Sequence, residues 1–235
     1  MRLEEIMEQG LGELGLPCTP EALERFRIYY RLLEERGAQM NLTAISGEEN
    51  VAKLHFLDCA ALLRQLSVSQ QRILDVGSGA GFPGLVLKIL APAAELTLLD
   101  SLQKRVQFQQ EVCEALGLQD VRCLHLRAEE APPDMREAYD LAVSRAVARL
   151  NLLSELCLPF VRPGGRFAAM KGPAAGDELQ ESLSAFRKLG APEPRLISYR
   201  VPGLEAERTL IVGIKQQPTP PQFPRRFAQM KKKPL

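Results

Sequence analysis

The first 70 residues carry apolar side chains in a helical pattern. Between residues 20 and 37 these side chains recur every three or four positions, which predicts an amphipathic helix. Thr19 is a good N-cap and Pro20 suits the first helical turn, whereas Gly37 predicts the end of the helix. A capping-box pattern over 46–49 predicts the start of a second helix. We expect these helices to form an extension packed on the remaining chain.

From residue 72 onward the pattern changes to alternating strands and helices. Near-continuous apolar runs separated by helical stretches are typical of a parallel sheet that is covered on both faces. The predicted strands are 72–77, 95–100, 121–127, 139–145, 165–172, 194–201 and 207–215, and the predicted helices are 83–91, 102–117, 149–158 and 176–189. A short turn joins the last two strands, which predicts an antiparallel hairpin. The fold class is therefore α/β, a doubly wound, mostly parallel seven-stranded sheet.

Composition fits a globular protein with three parts. Of the 235 residues, 46% are apolar and 25% are charged, values that exclude a disordered chain. The sheet pattern defines a central domain at 71–216, between the helical part at 1–70 and a proline-rich tail at 217–235. No apolar run reaches the roughly 20 residues that span a bilayer. The first ten residues are acidic where a signal peptide is basic, so we expect a cytoplasmic protein without a membrane partner.

Cysteine and charge patterns narrow the possible partners. The five cysteines form no C-x-x-C pair and there are two histidines, so we predict neither a disulfide framework nor a metal site. Residues 208–235 contain seven basic residues and no acidic one, although the whole chain has a formal charge of +1. A basic tail on an acidic body favours a polyanionic partner at one edge of the molecule. A solvated tail that aids solubility is the alternative.

A glycine-rich turn follows the first predicted strand and carries the clearest chemical signal. Asp75, Gly77 and Gly79 lie where this strand ends and the next helix begins near Pro83. Glycines let a ligand approach the backbone closely, and a helix N-terminus offers free N–H groups. Asp100 ends the second strand, where a carboxylate can accept hydrogen bonds from ribose hydroxyls. The sequence therefore predicts a site for a nucleoside-bearing cofactor.

The identity of that cofactor follows from charge. The glycine spacing over 79–84 also fits the dinucleotide fingerprint, so a nicotinamide-dependent oxidoreductase is one alternative. Pro83 has no N–H to donate to a pyrophosphate. Asp75 and Asp100 place two carboxylates beside the predicted site, which repels a diphosphate and favours a cationic ligand. We therefore predict S-adenosylmethionine, with S-adenosylhomocysteine as its product.

Several motifs then resemble one family. These are 75–84 (DVGSGAGFPG), 98–105 (LLDSLQKR), 144–146 (SRA) and 170–172 (MKG), together with 41–43 (NLT), the face shared by His55 and Asp58, and the tail from 224 to 235. They resemble the RsmG family, also called GidB, whose members are bacterial 16S rRNA guanine-N7 methyltransferases. The tail differs from the family at 227–230, where FAQM replaces the usual glycine and proline.

The resemblance implies a fold and a set of site residues. The fold is the Rossmann-like class of S-adenosylmethionine-dependent methyltransferases, and the partner is 16S rRNA, in its 530-loop region, or the small ribosomal subunit. The predicted cofactor residues are Asp75, Gly77, Gly79, Phe82, Asp100, Ser101, Ala128, Glu129 and Arg145. The predicted RNA contacts are Asn41, His55, Asp58, Lys171, Arg208, Arg225, Arg226, Lys231, Lys232 and Lys233.

Guanine N7 has a free lone pair, so its methylation needs alignment of the reactants and no catalytic base. Arg145 is the predicted positioning residue, because its planar group can hold a phosphate or a guanine edge; a structural ion pair with Asp75 or Asp140 is the alternative. The alternative to RNA contact is a plain surface charge for Lys171 and Arg208. For His55 and Asp58 it is a polar pair on a helix surface. A methyltransferase for a small molecule or a protein is the second functional hypothesis. We expect a monomer.

Overall fold

The computed structural model of this protein describes residues 2–40, 42–145, 147–172 and 174–235. Its centre is a seven-stranded sheet with the order β3-β2-β1-β4-β5-β7-β6. The strands are β1 (Arg72–Val76), β2 (Glu95–Asp100), β3 (Val121–His125), β4 (Tyr139–Arg145), β5 (Val161–Lys171), β6 (Arg195–Tyr199) and β7 (Arg208–Ile214). The first five strands pair in parallel, and β7 pairs antiparallel with both β5 and β6. The predicted fold class and the C-terminal hairpin are confirmed.

Helices cover both faces of this sheet. The α-helices of the described residues are α1 (Leu3–Glu13), α2 (Pro20–Met40), α3 (Glu48–Val51), α4 (Asp58–Ala60), α5 (Leu62–Gln65), α6 (Gly84–Leu90), α7 (Gln103–Ala115), α8 (Leu150–Cys157), α9 (Ala175–Lys188) and α10 (Phe227–Lys232). A π-helical turn, Ala52–Leu57, joins α3 to α4. No helix among these is long and apolar enough to cross a membrane.

Strand alternation separates two hydrophobic cores. Ile73 of β1 belongs to a core that also contains residues of α1, α2, α6 and α7, whereas its neighbour Leu74 belongs to a core with α8 and α9. Successive side chains of a strand point to opposite faces, which explains this division. The N-terminal helices therefore share a core with one face of the sheet, and Tyr29 of α2 donates a hydrogen bond to the Ala80 carbonyl of the glycine-rich turn at 2.5 Å.

Three local predictions need correction. The helix α2 passes through Gly37 and ends at Met40; an added Cβ at Gly37 would meet no neighbour, and an interior glycine weakens a helix without ending it. The capping box at 46–49 is wrong, because Gly47 is the N-cap of α3 with φ 83° and no side-chain cap is formed. Pro83 is the N-cap of α6 rather than its first residue.

The C-terminal tail packs against the central domain. The Arg136 guanidinium donates hydrogen bonds to the carbonyls of Thr219, Pro220 and Phe223. Lys215 is fully buried and donates to Glu137 at 3.2 Å, and burial lowers its pKa to about 8. The tail then ends in α10, a helix that the sequence pattern does not predict.

Candidate active site

The glycine-rich turn between β1 and α6 requires its glycines. Gly77 has φ 70°, and a Cβ there would lie 2.5 Å from Cγ2 of Val147. Gly79 has φ 58°, and an added Cβ would meet nothing within 4 Å. Both backbones are left-handed, the region that glycine adopts most readily. Gly77 therefore permits close packing, and Gly79 leaves open space in front of the turn.

Two adjoining cavities lie at the carboxyl ends of β1, β2 and β4. The first, here called the loop cavity, measures about 510 Å³ and includes Gly79, Phe82 and Arg145 in its wall. The second, here called the side cavity, measures about 190 Å³ and includes Ala128 and Glu129. Gly77, Asp100, Ser101 and Val147 line both cavities. The two cavities form one cleft where sheets of this type bind their ligands.

Asp100 lies at the junction of these cavities. Its carboxylate accepts hydrogen bonds from the backbone N–H groups of Gly79 and Leu102, both at 2.9 Å. Arg105 lies 3.5 Å away on the same carboxylate. These bonds fix the carboxylate at the carboxyl end of β2, where it lines both cavities.

Asp75 has a different place from the one predicted. It is fully buried and lines neither cavity. Its Oδ2 accepts a hydrogen bond from the Gly84 N–H at 2.7 Å, and its Oδ1 has no partner. Burial raises the pKa of Asp75 to about 7, against the opposing effects of the Gly84 bond and of Arg145. Asp75 therefore supports the glycine turn from beneath, which corrects the prediction that it faces the cofactor as a second anion.

The cleft fits the cofactor that the sequence predicts. The open space at Gly79 permits close approach to the backbone, and the Asp100 carboxylate borders the cavity, where it can accept hydrogen bonds from ribose hydroxyls. The other cofactor residues predicted from the sequence, apart from Asp75, all line the cleft. The walls also contain residues that the sequence did not indicate as cofactor contacts, among them Thr43, Arg105, Val147, Leu152, Leu156 and Phe227. The spacing of Leu152 and Leu156 by one helical turn was the available signal for that pair.

Arg145, the last residue of β4, is held by several groups. One amine of its guanidinium, Nη2, donates to Nδ1 of His55 at 2.6 Å, and the other, Nη1, donates to the Leu54 carbonyl at 3.2 Å. Its ion-pair partner is Asp58 at 3.5 Å. The guanidinium lies over the Phe82 ring, 4.9 Å from the ring centroid. The predicted alternative partners, Asp75 and Asp140, are wrong, and these contacts orient Arg145 at the floor of the loop cavity.

His55 is neutral and fully engaged. An arginine can only donate hydrogen bonds, so Nδ1 of His55 accepts from Arg145, and the ring proton is on Nε2, 2.8 Å from the Thr43 hydroxyl. The ring also stacks on Phe82, with centroids 4.4 Å apart. Burial, and then the charge of Arg145, lowers the pKa of His55 to about 3. The π-helical turn thus presents His55 to the cleft, and the alternative of a polar pair on a helix surface is wrong, because His55 and Asp58 are both buried.

A third cavity of about 460 Å³ adjoins the loop cavity through Arg145 and Val147. We call it the basic cavity, because Arg149, Lys171 and Arg208 line it. All three are paired with carboxylates: Arg149 with Glu181, Lys171 with Glu178 at 2.8 Å, and Arg208 with Asp58 at 3.4 Å. The Lys171 side chain is 7% exposed, so its charge is balanced by Glu178 inside the protein.

The predicted tail contacts divide into two groups. Arg225 forms a two-point ion pair with the buried Glu155, at 2.8 and 2.6 Å, and is not available to RNA in this arrangement. Arg226 and the lysines at 231–233 are exposed. Asn41 lies outside the described residues.

Comparison with known proteins identifies the family. Residues 22–205 match the family model of GidB, rRNA small subunit methyltransferase G. The chain is 42% identical to ribosomal RNA small subunit methyltransferase G of Alkaliphilus metalliredigens (strain QYMF), over the full length of both chains. It is 37% identical to the protein of the same name from Clostridium perfringens (strain 13 / Type A), again over the full length of both.

Solved structures share the fold at low identity. A SAM-dependent O-methyltransferase from Thermotoga maritima matches 80% of this chain and 72% of its own, with a TM-score of 0.56 and 16% identity. Precorrin-6y C5,15-methyltransferase from Geobacter metallireducens GS-15 matches 73% of this chain and 90% of its own, with a TM-score of 0.53 and 13% identity. At such identities these structures establish the fold alone. The full-length relatives and the family model confirm the resemblance seen in the motifs, and the chain belongs to the GidB family, rRNA small subunit methyltransferase G.

Proposed function

We propose that this protein transfers the methyl group of S-adenosylmethionine to N7 of a guanosine in 16S rRNA, in the 530-loop region. Family membership makes the protein a methyltransferase with S-adenosylmethionine as cofactor, and it excludes the nicotinamide alternative. The observation that carries the proposal is the cleft itself. Arg145 separates a cavity that fits the cofactor from a basic cavity that is open to a nucleotide.

The chemistry needs little from the protein beyond alignment. When bound, S-adenosylmethionine would supply a methyl group on a sulfonium. The N7 lone pair would form a bond to the methyl carbon while the carbon–sulfur bond breaks, and the leaving group would be the neutral thioether S-adenosylhomocysteine. The guanosine N7 becomes a cationic methylated nitrogen, and no proton is lost. Alignment of the reacting atoms in a line therefore supplies most of the required catalysis.

The side chains around the cleft suit a reaction without a base. Both ring nitrogens of His55 are engaged, and its low pKa keeps the ring neutral. Asp58 is bracketed by Arg145 and Arg208, so its charge is balanced within the protein. Methylation of an exocyclic amine would require a group that accepts a proton. This arrangement therefore supports N7 as the nucleophile.

The cofactor residues have distinct proposed roles. Asp100 binds the ribose, Ala128 and Glu129 lie beside the adenine, and Gly77 and Gly79 let the cofactor approach the turn. Phe82 supports Arg145 from below and closes the loop cavity. Arg145 positions the guanine edge or its phosphate relative to the methyl group, because it lines both the loop cavity and the basic cavity.

RNA binding is proposed for the exposed basic groups. Arg226 and the lysines at 231–233 are free to contact phosphates, and Arg208 lies at the wall of the basic cavity. Arg208 is paired with Asp58, but 30% of its side chain is exposed. We do not extend the role to Lys171 or Arg225, because both are paired and less exposed, at 7% and 21%. We further propose that the protein acts as a cytoplasmic monomer. Its parts are a helical extension (1–70), a methyltransferase domain (71–216) and a tail (217–235).

The test is methyl transfer to rRNA from cells that lack the enzyme. Labelled S-adenosylmethionine is incubated with that RNA and the protein, and the RNA is digested to nucleosides and separated. We expect the label in 7-methylguanosine. Label in an exocyclic amine, in another base, or in protein or a small molecule instead of RNA would contradict the proposal.

Arg145→Lys tests the role of the guanidinium. The variant keeps the charge and loses the planar fork, so we expect kcat to fall at least about tenfold through misalignment. Arg162→Lys is the matched control, because Arg162 pairs with Asp140 at the opposite end of β4 and β5 and lines none of the three cavities. Equal rates for the two variants would contradict the role proposed for Arg145.

A further inference from the structure

A residue of the C-terminal tail reaches the cofactor cleft. Phe227, the first residue of α10, lines the side cavity together with Ala128, Leu152 and Leu156. Phe227 is 38% exposed, so it is neither buried in the core nor fully in solvent. The aromatic ring therefore stands at the mouth of the side cavity with one part still uncovered.

The contacts on either side of Phe227 fix its position. Two residues before it, Arg225 binds Glu155 through two nitrogens and also through its backbone N–H. Three residues after it, Met230 is fully buried in the core that contains α8. Glu155 belongs to the same helix as Leu152 and Leu156, so the anchor of the tail and the wall of the side cavity share one element. The tail is thus held where Phe227 meets the cavity.

The shape and chemistry of the side cavity suit a flat heterocycle. Its volume, about 190 Å³, is below the usual range for a whole ligand, so it accommodates one part of the cofactor. Leu99, Leu126 and Ala128 provide apolar surface, and Asp100 borders the cavity where the ribose would begin. The part next to the ribose is the adenine base. Aromatic side chains stack on such bases with useful affinity.

We propose that Phe227 forms the outer wall of the adenine site, which makes the C-terminal tail part of the cofactor site. The inference rests on the proposed function in one respect, the use of S-adenosylmethionine. It adds a binding residue from a segment where this chain differs from the family pattern, since FAQM at 227–230 replaces glycine and proline.

Calorimetry with S-adenosylhomocysteine tests the contact. We expect Phe227→Ala to raise the Kd about tenfold, the loss of one base–aromatic stack. Leu196→Ala is the control, because Leu196 has the same exposure, 38%, and lines none of the cavities described. A Kd for folded Phe227→Ala within twofold of the wild-type value would overturn the proposal.

Fluorescence gives an independent measurement in a variant that keeps an aromatic ring. The chain contains no tryptophan, so Phe227→Trp and Leu196→Trp are each single-tryptophan proteins. Saturation with S-adenosylhomocysteine is expected to quench the emission at position 227 and leave that at 196 unchanged. Unchanged emission at 227, with calorimetry showing that the ligand binds, would overturn the inference. Failure of the wild-type protein to bind the ligand would instead refute the cofactor assignment.

Discussion

The buried carboxyl of Asp75 makes the stability of this protein depend on pH in a specific direction. The group is fully buried, one oxygen accepts the Gly84 N–H, and the other oxygen has no partner. Burial raises its pKa to about 7, from an ordinary value of 3.8. Replacement by asparagine keeps an oxygen that can accept the Gly84 bond and removes the titration. Asp75→Asn therefore isolates the cost of charging this site.

The size of the effect follows from the two pKa values. Between pH 3.8 and pH 7 the folded state holds a proton that the unfolded state has released. The contribution of Asp75 to the free energy of unfolding therefore falls as the pH rises through this range, by about 1.4 kcal/mol per pH unit. Across the whole range the loss amounts to about 4 kcal/mol, a large fraction of the stability of an ordinary domain. The asparagine variant lacks this contribution.

The assay is urea denaturation of both proteins, without cofactor, at several values between pH 4 and pH 8. We subtract the free energy of unfolding of the wild type from that of the variant at each pH. We expect this difference to increase by about 4 kcal/mol from pH 4 to pH 8. Taking the difference cancels the other titrating groups, including His55, because both proteins contain them. Stability curves that stay parallel over this range would refute the reasoning.

Three further predictions concern other parts of the site. Burial lowers the pKa of His55 to about 3, so the unfolded state alone takes up a proton at this site as the pH falls below about 6.5. The contribution of His55 to the free energy of unfolding therefore falls by about 1.4 kcal/mol per pH unit as the pH falls, opposite in direction to that of Asp75. In urea titrations the stability of His55→Gln minus that of the wild type should rise by this amount, and a constant difference would count against a neutral buried imidazole. Gly79→Ala should lose both stability and affinity for S-adenosylhomocysteine. Gly117 has a similar φ of 60° and equally open space, so Gly117→Ala should lose stability alone. Equal calorimetric Kd values for the two variants would contradict the place of Gly79 in the cleft. Replacing the lysines at 231–233 with glutamine should reduce the slope of log K for RNA binding against log[salt] by about 2 if each lysine neutralises one phosphate. Lys188→Gln, on the exposed end of α9, is the control and should leave the slope unchanged. An unreduced slope in the triple variant would exclude these lysines as phosphate contacts.

Most of the sheet was predictable because its signals are local. The first two strands, for example, are continuous apolar runs that end at a glycine turn or a carboxylate, and the structure places them within one residue of the prediction. β5 begins earlier than predicted, at Val161, since the sequence PGG at 163–165 reads as a turn. There the pairing with β4 shifts register next to Tyr139, a long-range feature that local patterns do not contain.

The side-chain partners at the site were less predictable. The sequence locates Arg145 and the pair His55 and Asp58, but their mutual contacts join residues about 90 positions apart. Asp75 was recognised as the end of a strand, and strand periodicity does not say whether its carboxyl faces a ligand or the adjoining helix. Docking of the tail depends on the pairing of Arg225 with Glu155 across 70 positions. These features come from tertiary packing, which composition and spacing do not determine.

The most direct test of the central claim is chemical mapping of the methylated nucleotide. Methylation at N7 makes a guanosine cleavable by borohydride reduction followed by aniline. Small-subunit rRNA from cells that lack the enzyme is treated with the protein and S-adenosylmethionine and then cleaved in this way. The account predicts one new cleavage site, at a guanosine of the 530-loop region, that depends on both the protein and the cofactor. Methyl incorporation into this RNA without any new cleavage would contradict it.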